Sequence, residues 1–219
     1  MNRGVRISLA LVAVFAVAVA AVLWLGRSGG DSAPAAADVA DVGAAAVVRP
    51  DSHRITSAPE GSPVFVEFLD FECEACGAVY PAIEELRAEY GDRVTFVVRH
   101  FPMPGHANAE PASRAVEAAA QQGRFEQMYQ RMFETQMTWG EQRVPKDDVF
   151  RGFAAELGLD LAAFDAAYAD PATAARVAAD VTDGEALGVR GTPTFFLDGQ
   201  RLEPETYQDL TDAFDRALR

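Results

Sequence analysis

The sequence predicts an α/β fold with an inserted helical domain, preceded by an N-terminal transmembrane helix and a linker. Three observations carry this expectation. An uncharged run of nineteen residues lies near the N-terminus, a strand–helix–strand pattern surrounds the only two cysteines, and a second strand pattern follows more than a hundred residues later. The 219 residues, 49% of them hydrophobic, suffice for a sizeable core. A net charge of -14 argues against nucleic acid as a partner, because phosphate binding needs clustered Lys and Arg. Two cysteines cannot build a disulfide framework or fill a four-ligand zinc site. His53, His100 and His106 show no finger spacing to them, so no metal and no cofactor is expected.

Ile7 to Leu25 reads ISLALVAVFAVAVAAVLWL, with Ser8 its only polar residue. At about 1.5 Å per residue this run approaches the thickness of a hydrocarbon core. Arg3 and Arg6 precede it, while only Arg27 and then Asp31 follow. The positive-inside rule places the N-terminus in the cytoplasm and the remainder outside. A cleaved signal peptide is the alternative, with Ala18-Val19-Ala20 resembling a cleavage site inside the run. Residues 1–27 are therefore read as an anchor or signal peptide. Residues 28–50, rich in Gly, Ala, Asp and Pro, are read as a flexible linker.

The folded part is expected over 51–219. Pro63 to Leu69, PVFVEFL, reads as a buried strand. After the cysteines, Val79, Ala82, Ile83, Leu86 and Tyr90 fall on one helical face, and Gly91 ends that helix. Val94 to Val98, VTFVV, is a second buried strand. A run of helices follows: the Ala-rich Glu110–Gln122, a segment marked by Phe125, Met128, Tyr129, Met132 and Phe133, and another marked by Val149, Phe150, Phe153 and Leu157. Asp160 can cap a short helix, and Asp170-Pro171 starts one that reaches Leu187. Thr194 to Leu197 is a strand, Asp198-Gly199 a hairpin turn, Gln200 to Leu202 a short strand, and Glu203 to Leu218 a closing helix. Completing the α/β core between Cys76 and Pro193 needs only about 40 residues. The 117 that are present leave a helical insert at about 103–170.

Cys73-Glu74-Ala75-Cys76 sits where the first strand turns into its helix. A first helical turn has unpaired N–H groups and a dipole that favours negative charge, so a cysteine there leans toward thiolate. Cys76, one turn further in, can close the ring. A passive clip is the bland reading, but so short a loop restrains little unfolded-chain entropy. His100 and His106 are read as loop caps or satisfied core residues, and Pro81 as a helix kink. Asp70, Glu72 and Glu74 surround Cys73, and their negative charge is expected to lift its pKa against the pull of the helix. That places the reduction potential between thioredoxin and the strongest oxidases.

Four features together resemble the thioredoxin superfamily: the CEAC pair, Glu67 six residues upstream, Pro81 five residues past Cys76, and Gly191-Thr192-Pro193 before TFFLDG. With the helical insert and the stretch RHFPMPGHANA, the chain resembles the DsbA-like branch of exported thiol–disulfide oxidoreductases. The resemblance implies a thioredoxin-like fold, Cys73 as nucleophile, Cys76 as resolving sulfur and Glu67 as a buried proton shuttle. It also implies a cis-Pro193, with Thr192 pairing to an extended substrate. The implied function is disulfide formation in exported proteins bearing cysteine thiols, with a quinone-linked membrane partner as reoxidant. The chain would act as a monomer at the cell membrane, its catalytic domain extracytoplasmic. A reductase or isomerase, or a non-catalytic peptide-binding or chaperone module, is the alternative.

Overall fold

The computed structural model describes residues 47–219. The expected membrane helix and nearly all of the linker lie outside the described residues. Among those described, no helix is long and apolar enough to cross a membrane.

A five-stranded sheet forms the centre, in the order β1-β3-β2-β4-β5. Its strands are β1 (His53–Arg54), β2 (Val64–Leu69), β3 (Thr95–His100), β4 (Thr194–Leu197) and β5 (Gln200–Leu202). β2 and β3 are parallel, and every other pairing is antiparallel. The parallel pair requires a crossover, supplied by α1 (Glu74–Tyr90). The expected strands and the DG hairpin are present. Asp198 and Gly199 both take positive φ (51° and 82°), as a two-residue turn of this kind requires. The two-residue β1, added to the edge of β3, was not expected from sequence. It is too short to show a period.

Side-chain alternation divides the strands between two layers. Phe65, Phe96, Phe195 and Leu197 pack with Ile83, Leu86 and Tyr90 of α1 and with Leu210 and Phe214 of α7 (Tyr207–Ala217). Val66, Phe68, Val97 and Phe196 face the other way, with Phe101 and Val189. The closing helix begins later than Glu203 because Thr206 and Asp209 form a reciprocal capping box there. Between β3 and the return to the sheet lie α2 (Ala109–Ala120), α3 (Phe125–Trp139), α4 (Asp147–Glu156) and α5 (Leu161–Ala169), which form the helical insert. Their core of Met128, Tyr129, Met132, Trp139, Phe150 and Phe164 is continuous with Leu69, Phe71 and Cys76. α6 (Pro171–Ala186) leads back to the sheet, its N-cap Asp170 accepting from Ala172 N–H as the Asp-Pro signal implied.

Arg99, on β3, is fully buried. Its guanidinium donates to Asp180 and Asp183 of α6, both at 2.7 Å, and to the Val47 carbonyl. Val47 is itself buried, so packed contacts begin four residues before the expected start at 51. Asp180 also forms an ion pair with Arg176 at 2.6 Å and accepts from the His100 backbone N–H at 3.0 Å. Removing Arg99 breaks this buried ion-pair network, and breaking a buried pair costs about 3–5 kcal/mol. Arg99→Ala is therefore expected to lower unfolding stability in urea by that order. Asp183→Asn, at a half-exposed partner, should cost much less.

Candidate active site

The two cysteines lie at the start of α1. Cys73 is the N-cap, in extended backbone (φ −67°, ψ 120°) with no side-chain cap, and the Gly77 N–H donates to its carbonyl at 3.0 Å. Cys73 is partly exposed, whereas Cys76 is buried in the core shared by sheet and insert. Both are free thiols. Opposite them, the Thr192–Pro193 peptide bond is cis, and the Cys73 thiol donates to the Thr192 carbonyl at 3.4 Å. The Thr192 hydroxyl is buried there without a hydrogen-bond partner. Among the described residues nothing pairs with the Thr192 backbone N–H. The structure thus brings Cys73, Cys76, Thr192 and Pro193 together.

The two thiols differ sharply in acidity. The Cys76 thiol hydrogen-bonds the Cys73 sulfur and pulls it down to about 5; burial opposes this, while Thr192 and the backbone N–H groups of Cys76 and Ala75 reinforce it. Burial pushes Cys76 well above the ordinary thiol value, and the bond to Cys73 and the charge of Glu67 push the same way. The expectation that nearby acids would lift Cys73 is corrected by where their carboxylates point. Glu72 is buried and accepts from the Asn108 N–H at 2.6 Å. Asp70 is buried too, and accepts from the N–H groups of Glu72 and Met103 and from His106 Nδ1. Only Glu74 of the three is exposed.

Glu67 is on β2, on the same face as Phe65 and Leu69, and is only 4% exposed. Burial pushes its carboxyl up to about 8, helped by the charges of Glu84 and Cys73. That coupling places it within electrostatic reach of both sulfurs. Tyr129 of the insert feels the same carboxylate.

His100 and His106, read from sequence as loop caps or core residues, both hydrogen-bond carboxylates, and His106 is also electrostatically coupled to Cys73. His106 bonds Asp70 at 2.6 Å. His53 Nε2 and His100 Nε2 each lie 2.8 Å from one oxygen of Glu117. These three side chains offer donors of the kind that hold a metal. Metal-bound imidazoles donate their other N–H to a partner, yet His100 Nδ1 is buried with none. The arrangement fits a structural network instead. Burial works against the Glu117 charge, but hydrogen bonds from His100 and His53 hold it well below the usual carboxylate range. The sequence reading missed Gln136, Asn108 and Tyr129, all supplied by the loop before the insert or by the insert itself. No local motif marks them.

Comparison with known proteins agrees with this geometry. The family model described as thioredoxin matches residues 52–216. Similar solved structures include a thioredoxin-like oxidoreductase from Silicibacter pomeroyi, 26% identical with a TM-score of 0.65, covering 77% of this chain and 93% of that one. The alpha-DsbA1 protein of Wolbachia pipientis is 18% identical with a TM-score of 0.67, covering 78% of this chain and 92% of that one. Among curated relatives, a protein named Na(+)/H(+) antiporter NhaA from Herminiimonas arsenicoxydans is 37% identical over 155 residues, which is 71% of this chain and 24% of that protein. The chain thus spans about a quarter of the length of the curated relatives it matches.

The raised Glu67 carboxyl has a sign-defined consequence. Between the ordinary value of 4.5 and about 8, the unfolded chain has lost this proton and the folded protein has kept it. Stability therefore falls as pH rises through that window. Glu67→Gln should remove this loss, so its gain in Tm over the parent grows from about pH 4.5 and levels off above about pH 8. Melting curves across that range check it.

Proposed function

Because the chain belongs to the thioredoxin family and shares its fold with the DsbA-type thiol–disulfide oxidoreductases, we propose that it forms disulfide bonds in exported proteins. The observation that carries this reading is the placement of the two thiols: Cys73 partly exposed at the open N-terminus of α1 and drawn toward the thiolate, Cys76 buried in the core and held protonated. In the oxidised enzyme, a substrate thiolate attacks the Cys73 sulfur. A mixed disulfide forms, and the electron pair of the broken S–S bond leaves on Cys76. Cys76 then takes a proton, for which the neutral Glu67 carboxyl is the nearby source. A second substrate thiolate attacks the substrate sulfur of the mixed disulfide and releases Cys73 as a thiolate.

The direction follows from leaving-group chemistry. A stabilised Cys73 thiolate leaves readily and favours the reduced enzyme, which makes the disulfide oxidising. The Thr192 hydroxyl, without a partner beside the thiol, gains one when that sulfur is ionised. A thiol near 5 lies between those of thioredoxin, at about 7, and DsbA, at about 3.5. The reduction potential is accordingly expected between roughly −270 and roughly −120 mV. The unpaired Thr192 N–H suits an extended substrate segment added alongside the cis-proline loop.

The apolar run Ile7–Leu25, with Arg3 and Arg6 before it, supports a single-pass anchor with the catalytic domain outside the cytoplasm. There a quinone-linked membrane protein would reoxidise the Cys73–Cys76 pair, and the domain would work as a monomer. The likeness to a quarter of proteins named Na(+)/H(+) antiporters favours a second reading, in which the thiols served belong to a membrane transporter.

Cys73→Ser is expected to abolish disulfide transfer to a reduced model substrate; retained transfer would reject the assignment. Cys76→Ala should accumulate mixed disulfides in intact cells. Their identification separates exported proteins from a transporter as the substrate. Equilibration with glutathione should return a potential inside the stated window, and a value at or below that of thioredoxin would turn the direction toward reduction.

A further inference from the structure

Gly77 lies inside α1, where Ala would favour the helix by about 1 kcal/mol. Its φ is not positive, so backbone freedom does not explain it. Space does: a Cβ at position 77 would collide with Gln136 Oε1 and stand 2.7 Å from Gln136 Cδ. Gln136 reaches this point from the last turn of α3, across the boundary between insert and α/β core. It is 6% exposed, and its Nε2 donates to two carbonyls of the redox turn, Phe71 O and Cys73 O, both at 2.8 Å. An amide has two N–H donors, and here both are spent on the backbone just before and at the N-cap of α1. The same α3 end is closed by the Gly140 N–H, which donates to the Gln136 carbonyl at 2.7 Å.

The orientation of the Cys73 carbonyl is the torsion ψ of Cys73. That torsion decides whether the Cys73 side chain stays beside the N–H groups of Ala75 and Cys76, which draw its sulfur toward the thiolate. Cys73 has no side-chain cap of its own, so the carbonyl is held by Gly77 N–H from within the helix and by Gln136 from outside it. We propose that Gln136 is a positioning residue by which the helical insert sets the redox turn and thereby the acidity of Cys73, with Gly77 kept small to admit it. This rests on the proposed function only in taking Cys73 as the reacting sulfur, because thiol acidity is measured without turnover.

The full-length protein, reduced, is alkylated with iodoacetamide across pH, and the label on Cys73 is followed by mass spectrometry. Gln136→Met keeps length and approximate volume and deletes both donors. Its alkylation midpoint should rise by about one unit, an approximately tenfold loss of thiolate at a pH below both midpoints, with the helical circular-dichroism spectrum unchanged. Gly77→Ala should destabilise the parent and be tolerated in a Gln136→Ala background, where the clash is gone. A Gln136→Met midpoint equal to that of the parent overturns the role in acidity. Equal destabilisation by Gly77→Ala in both backgrounds overturns the contact. A parent without disulfide transfer whose midpoint still moves with Gln136 rejects the proposed function and supports this inference.

Discussion

The arrangement turns on a sulfur that is easier to ionise than any isolated thiol, at the open end of a helix. The first N–H groups of α1 have no intrahelical acceptor, and the Cys76 thiol and the Thr192 side chain converge on the same point. None of these groups is charged. The thiolate is stabilised chiefly by oriented dipoles, with the His106 imidazole electrostatically coupled to it as well.

Most of the surrounding structure keeps negative charge away from that sulfur. The chain is acidic, and three carboxylates lie within three residues of Cys73. Two of them are buried and committed to backbone N–H groups, Glu72 to Asn108 and Asp70 to Met103 and Glu72. A further buried acid, Glu67, is held largely as the neutral acid by desolvation. Acids that would oppose the thiolate in an extended peptide become a partner of the α2 start, a loop anchor and a largely neutral buried acid in the folded one. The loop from Met103 to Asn108 and the insert are thus part of the electrostatics of the redox turn.

The insert also completes the core. Cys76, Leu69 and Phe71 pack in the same cluster as Met128, Tyr129 and Met132, so the burial that raises Cys76 depends on helices far away in sequence. On the opposite side, Arg99 ties β3 to α6 and to Val47, where the described chain begins. Val47, the first described residue, is thereby held to the domain.

What the residues alone determined was local. The apolar run PVFVEFL, the helical spacing from Val79 to Tyr90, the Asp-Pro and Asp-Gly signals and the CEAC pair each act over a few residues, and the elements they implied are present. The excess length before Pro193 located the insert by arithmetic. Left to tertiary structure were β1, which exists only because β3 offers an edge, and the directions of the acids around Cys73. Glu72 and Asp70 read as charges beside a thiol until the partners that turn them away, more than thirty residues distant, are in place. Gln136 shows the same limit, since a lone amide on a helix has no local signature and gains its meaning only from the two carbonyls and the glycine it meets across the fold. Propensity and period are properties of neighbours in the chain, whereas acidity and hydrogen-bond partnership are properties of neighbours in space.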